Sequence, residues 1–339
     1  MELSLETSIY LFIIFSVVIG VGGTYLTKVA DILADKTGWG EALVGAVLLG
    51  AATSISGVVT SVTAAFEGFP ELSMSNALGG IAAQTFFLVL ADVAYKKANL
   101  EHAAASFTNL MFSALLLCLL SLLLLVMTGP NVTFLSFHPG SVILFAMYLF
   151  GIRMISSSRQ EPMWRPRNTK ETRPDIPDEK HLKNRLWVLV LKFVTLGVVV
   201  GGSGYLLTES AITITTETGI DETLVGALMT AVVTSLPEMI TTVAAVKRGA
   251  LTLAVGGVIG GNCFDMLFAV FSDFAYTEGS IYHAISSDQL FILTMTLAMT
   301  SVLMLGLLFR QKAGLAKLGW ETVLITVIFF GGYTILFLG

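Results

Sequence analysis

Ten stretches of this chain, each about 20 residues or longer and nearly free of charge, constrain its fold more than any other feature. They span 7–29, 42–66, 70–95, 103–127, 135–154, 186–213, 223–246, 250–275, 287–309 and 316–338. An α-helix needs about 20 apolar residues to cross a bilayer. Inside lipid no water can satisfy an open backbone, which leaves helices or closed barrels. Strands of a membrane barrel alternate polar and apolar residues, and these stretches do not. The expectation is an all-α polytopic membrane protein with ten transmembrane helices. Composition agrees, with 55% hydrophobic and only 13% charged residues, against about 25% charged in a soluble domain. The N-terminus carries Glu2 and Glu6 and a long apolar segment, so it does not read as a cleaved secretory signal. Cys118 and Cys263 both fall inside apolar segments, so no disulfide framework is expected.

Charge sets the organisation. A polar stretch, 156–185, rich in Pro, Arg, Lys, Asp and Glu, divides the chain into 1–155 and 186–339. It reads as a solvated linker, with a short helix near its end. Lys28, Lys36, Lys96, Lys97, the basic residues around the linker, Lys192 in the first turns of segment 6, Lys247, Arg248, Arg310, Lys312 and Lys317 lie on alternate connections or at the segment ends beside them, all on one side. The connections after segments 2, 4, 6 and 8 contain no Lys or Arg. Cytoplasmic loops carry the basic excess, so the linker is expected in the cytoplasm and both termini outside (N-out, C-out).

The halves are also related to each other. Glu41 to Tyr95 aligns with Glu222 to Tyr276 at a constant offset of 181 without a gap, and 19 of the 55 positions are identical. Thr53/Thr234, Ser54/Ser235, Gly68/Gly249, Gly79/Gly260, Gly80/Gly261, Asp92/Asp273 and Tyr95/Tyr276 are among them. With five spans per half, the two five-helix repeats are inverted. Inverted repeats with a site at their midplane interface are a transporter signature.

The chemistry concentrates in segments 7 and 8. Glu238 is the one charge within segment 7, and Pro237 stands before it. A carboxylate at the centre of a membrane helix costs about 2.5–3.5 kcal/mol on insertion scales and usually marks an ion or proton pathway. A proline in a helix interior breaks the hydrogen-bond ladder, and the freed carbonyls suit a hard cation that takes oxygen ligands. Thr234 and Ser235 add hydroxyls one turn away. Segment 8 contributes Asp265, three residues after Asn262 and on the same helix face, with paired glycines that allow close helix approach.

T-S-L-P-E, beginning at Thr234, is followed 27 residues after its Glu by the Asp of G-N-C-F-D. This resembles the second alpha-repeat of the calcium/cation antiporter superfamily, of the sodium/calcium exchanger type. T-S-I-S-G from Thr53 and G-G-I-A-A-Q from Gly79 resemble a degenerate first repeat. The resemblance covers nearly the whole chain and implies exchange of calcium against sodium or protons by alternating access. Carried over by position, it implies cation ligands at Glu238, Asp265, Thr234 and Ser235 from the second repeat, and at Thr53, Ser54 and Gln84 from the first. The chain departs from the pattern where the first-repeat Glu should stand, because Gly57 is there. Ser56 replaces the preceding Pro, Gln84 replaces an Asn, and Gly80 and Gly261 stand where serines are often found. Two acids remain of three, and calcium affinity depends partly on ligand charge. A monovalent cation, another divalent cation, or cation binding without transport are therefore alternatives to calcium exchange.

No G-x-x-x-x-G-K-[ST] motif is present, so an ATP-driven pump is disfavoured. No enzyme activity or cofactor is expected, and the expected partners are inorganic cations and the bilayer, not nucleic acid. The compact form fits a prokaryotic plasma membrane. Asp92 and Asp273 fall at helix ends, where solvation accounts for them. Glu67 and Glu71, near an external junction, are candidates for cation access. His102, His138, His181 and His283 have no ligand spacing and read as surface residues.

Overall fold

The computed structural model describes residues 4–37, 44–95, 98–158, 162–164, 166–167, 185–312, 314 and 318–338. These form α1 (Leu5–Thr37), α2 (Val44–Phe66), α3 (Pro70–Ala94), α4 (Leu100–Ala104), α5 (Phe107–Thr128), α6 (Pro139–Ser158) and α7 (Leu186–Thr218). They continue with α8 (Glu222–Thr234), α9 (Leu236–Arg248), α10 (Leu251–Ala275), α11 (Ser287–Phe309) and α12 (Trp320–Leu338). Among the described residues there is no strand, and one isolated bridge joins Phe134 to Phe137.

Eight of these helices (α1, α3, α5, α6, α7, α10, α11 and α12) are long and apolar enough to cross a membrane. Helices α8 and α9 pass the same test together and are bent by 46° at the break between them, which makes nine. The expected segment 42–66 corresponds to α2, Val44–Phe66. The expected segment 103–127 is split, because Ser106 starts a new helix by accepting from Asn109 N–H at 3.1 Å. Helix α6 runs to Ser158, into the expected linker. The short helix expected near the linker's end lies outside the described residues.

Helices α3 and α10 are central, with 78% and 72% of their most apolar window buried, whereas α1 and α7 are peripheral at 28% and 17%. The exposed faces of the outer pair, such as Ile13 and Val17 on α1 and Val194 and Val198 on α7, are apolar surface that a bilayer would cover.

Contacts across the molecule repeat at the offset of 181. Gly23 lies so close to Pro237 that a Cβ would fall 2.4 Å from the ring, and Gly204 lies so close to Ser56 that a Cβ would fall 2.8 Å from its carbonyl oxygen. Helix α1 thus packs on the second half's broken helix as α7 packs on α2. Turns repeat as well: Gly68 and Gly249 have φ of +82° and +87°, a left-handed conformation that glycine adopts without a Cβ clash. Along α2 and α10, Gly50 meets Phe264, Ser54 bonds to Asp265 and Gly57 meets Phe268. The numbers rise together, so α2 and α10 run parallel. Helix α9 turns tightly into α10 at Gly249, so α9 runs opposite to α2, its counterpart.

Asp92 and Asp273 correct the sequence reading. They are buried, at 1% and 0% exposure, and act as matched caps rather than as solvated ends. Asp92 Oδ1 accepts from Leu100 N–H at 2.8 Å and Asp273 Oδ1 from Ile281 N–H at 3.2 Å. The second oxygen of each crosses to the other half. Thr322 donates to Asp92 at 2.8 Å, and Ser141 donates to Asp273 at 2.5 Å. Glu71 also has a structural role, accepting from Ser286 N–H and from Gln289 Nε2, so it is a cap of α11 and not a free carboxylate; Glu67 is exposed. His102, His138 and His283 are half-buried. His102 bonds to the Arg310 carbonyl, and the rings of His138 and His283 lie with centroids 5.5 Å apart at a 31° tilt. His181 lies outside the described residues.

Candidate functional site

The seven residues expected as ligands are all buried: Thr53, Ser54, Gln84, Thr234, Ser235, Glu238 and Asp265 range from 1% to 6% exposed. They come from α2, α3, the α8–α9 break and α10. The break has a local cause. Pro237 has no N–H to continue the ladder and is tolerated in a first helical turn. The chain therefore ends α8 at Thr234, passes through Ser235 at φ −92°, ψ 3°, and restarts at Leu236. Glu238 then sits in the first turn of α9, at the helix end whose unpaired N–H groups favour negative charge. The Thr234 carbonyl, next to the break, receives the Ser56 hydroxyl at 3.4 Å. The serine that replaces the first repeat's proline thus supports the second repeat's break.

Asp265 is the hub. Its Oδ1 accepts the Ser54 hydroxyl at 2.5 Å and its Oδ2 accepts Gln84 Nε2 at 2.5 Å. The same Gln84 nitrogen reaches Ser235 Oγ at 3.3 Å. Gln84 and Asp265 are equivalent at the offset of 181, as are Ser54 and Ser235, so this contact set maps onto itself when the halves are exchanged. Glu238 stands beside it: the Thr53 side chain bonds to its carboxyl, and Asp265 lies within electrostatic reach.

Thr234 is held differently. Its hydroxyl donates to Asn76 Oδ1 at 3.5 Å, while Asn76 Nδ2 donates to Ser61 Oγ at 2.9 Å and to the Gly57 carbonyl at 3.3 Å. The sequence reading missed Asn76. Its signal was weak: a polar residue between Ser75 and Ala77 at the polar beginning of an otherwise apolar segment.

At position 57 nothing replaces the carboxylate. A Cβ on Gly57 would fall 2.5 Å from Phe268 Cε2 and 2.8 Å from Cζ, so an aromatic ring fills the place. Among the described residues, no group of three or more His, Cys, Asp and Glu side chains is arranged to hold a metal ion. The site offers two carboxyls, with hydroxyl and amide oxygens around them. Three buried acceptors there have no donor: Glu238 Oε2, Gln84 Oε1 and Asn262 Oδ1. An unpaired buried acceptor costs about 1–3 kcal/mol. A cation would satisfy such oxygens directly, and two negative charges balance one divalent ion, two monovalent ions, or protons.

The chain matches the family model described as sodium/calcium exchanger protein over residues 7–155 and 187–339. The inner membrane protein YrbG of Escherichia coli is 25% identical over 260 residues, covering 76% of each chain. The sodium/calcium exchanger MaX1 of Methanosarcina acetivorans is 27% identical over 152 residues, 45% of this chain and 40% of its own length. Among solved structures, the crystal structure of the H+/Ca2+ exchanger CAX superposes with a TM-score of 0.71 at 12% identity, covering 96% of this chain and 82% of that one, a likeness of fold. With both halves matched, the chain belongs to the sodium/calcium exchanger protein family.

Proposed function

We propose that this protein is a secondary antiporter that exchanges calcium for sodium or protons by alternating access, with the charge carried by Glu238 and Asp265. Thr53, Ser54, Gln84, Thr234 and Ser235 supply the surrounding oxygens. Ten spans in two inverted five-helix repeats, 1–155 and 186–339, with a cytoplasmic linker at 156–185 and both termini outside, complete this reading. The antiparallel sense of α2 and α9 and the exchanged caps of Asp92 and Asp273 support it, as does the absence of Lys and Arg from the connections after segments 2, 4, 6 and 8. The plasma membrane of a prokaryote is its location, and the chain is a transporter, not an enzyme.

The observation that carries the proposal is the buried contact of Asp265 with Ser54 and Gln84 of the other half. An ion bound there is bound to both halves at once, and motion of the outer helices α1 and α7 against the core changes which side it faces. The test is calcium flux into proteoliposomes under an imposed sodium gradient, repeated with a proton gradient. Wild type should carry flux under one of them, and Glu238→Gln should abolish it. Full activity in that variant would refute the assignment.

A second reading is transport of a monovalent or other divalent cation. Gly57 and the ring of Phe268 favour it, because they leave two acids where the family pattern has three. Calcium flux absent under both gradients, with sodium or another cation moving instead, would select this reading.

A further inference from the structure

Asn262 lies on the same face of α10 as Asp265, one turn earlier, and is fully buried. Its amide orientation is fixed by its neighbour. Thr85 Oγ1 donates its proton to the Ile81 carbonyl at 2.8 Å, so it can only accept from Asn262, and the group facing it at 3.1 Å is therefore the NH2. This turns Asn262 Oδ1 away from Thr85 into a position without a donor. Gln84 is fixed in the same manner: its Nε2 is held by the Asp265 carboxylate, and its Oε1 is left unpaired. That oxygen lies over the neighbouring residue, 3.6 Å from where a Cβ on Gly261 would be. Two amide carbonyls, one on α3 and one on α10, are thus each locked with an unsatisfied acceptor, on residues one position away from each other's partners, Gly261 and Thr85. Asp265, by contrast, already receives a donor on each oxygen.

We propose that Asn262 is a further cation ligand, its Oδ1 forming with Gln84 Oε1 a neutral oxygen subsite for a hard metal ion such as calcium or sodium. This rests on the antiporter reading above. The subsite lies on the side of Asp265 toward the start of α10, which the basic residues Lys247 and Arg248 place at the cytoplasmic face. It gives the ion oxygen ligands as it leaves or approaches the carboxylates, without adding charge that would hold it there. Gly261 contributes by having no side chain to cover Gln84 Oε1.

The test compares Asn262→Ala, Asn262→Asp and Thr85→Val in the full chain, by calcium binding to the purified protein and by the KM and maximum rate of calcium flux in proteoliposomes. Removing one ligand oxygen should weaken calcium binding and raise KM about tenfold in Asn262→Ala, with the maximum rate much less affected. Asn262→Asp loses the bond to Thr85 but keeps an oxygen and adds charge, so it should bind calcium at least as tightly as wild type. Thr85→Val, which removes only the partner of the amide NH2, should be milder than Asn262→Ala. Asn262→Asp or Thr85→Val weakening binding as much as Asn262→Ala would show a packing role and overturn the inference, as would wild-type affinity in Asn262→Ala. A folded wild type that binds neither calcium nor sodium would remove the antiporter reading, and this inference with it, before any variant is compared.

Discussion

The two halves of the molecule agree in their packing contacts and disagree at one helix of the site. Contacts repeat almost residue for residue: Gly23 on Pro237 and Gly204 on Ser56, Thr322 on Asp92 and Ser141 on Asp273. At the site, the second half has a helix broken before Glu238, while α2 runs unbroken past Ser56 and Gly57. Symmetry is kept where it holds the helices together and is lost where charge would sit. The packing frame thus does not require two acids. It requires only that the space opposite Glu238 be filled, which Phe268 does.

The largest effect should follow from forcing the halves to match. Gly57→Glu places atoms where the Phe268 ring lies and buries a new carboxylate without a partner. Overpacking a core costs about 1–3 kcal/mol, and the buried charge adds to it. The expected result is a large drop in the melting temperature of the purified protein, partly restored by adding Phe268→Ala. A single variant as stable as wild type would mean that the ring yields freely and does not close that side of the site.

A smaller effect tests the agreement in the packing contacts. Thr322→Val and Ser141→Ala each remove one donor to a buried carboxylate. Hydrogen bonds to charged groups contribute about 1.5–3 kcal/mol, so both variants should lose stability by similar amounts in a thermal or denaturant melt. A clear loss in one and none in the other would show that the matched geometry conceals unequal loads.

The helices were legible in the sequence because membrane spans declare themselves by length and apolarity, and the gapless offset of 181 announced a repeated unit. Glu238 and Asp265 were legible as buried neighbours because a carboxyl inside an apolar stretch has few structural explanations. The burial of Asp92 and Asp273 was not legible. Each lies at the end of an apolar stretch, as a solvated residue would, and the partners that bury them, Thr322 and Ser141, are 230 and 132 residues away in the chain. Glu71 was misread for the same reason, since Gln289 and Ser286 reach it from the other half. Phe268 carried no signal, because an aromatic residue in an apolar helix looks like any other core residue until its neighbour is known to be glycine.

The most subtle contrast lies just after the matched caps of Asp92 and Asp273. Leu100 and Ile281 donate to them alike, but Glu101 stands where the other half has Tyr282. Burial, with the carboxyls of Asp92 and Glu321 close by, pushes the Glu101 carboxyl well above the usual carboxylate range. Burial likewise pushes the Tyr282 hydroxyl well above its ordinary value, so it stays neutral. Glu101 is therefore held neutral in the folded protein at pH values where it ionises in the unfolded chain. Its contribution to stability is complete below about pH 4.3, the ordinary Glu value, and is lost as pH rises toward its raised folded-state value. The melting temperature should thus fall over that interval with a steeper slope in wild type than in Glu101→Gln, whereas Tyr282→Phe should leave the slope unchanged. Equal slopes in wild type and Glu101→Gln would mean that Glu101 ionises in the fold as it does in water, and that the two positions differ in sequence but not in electrostatics.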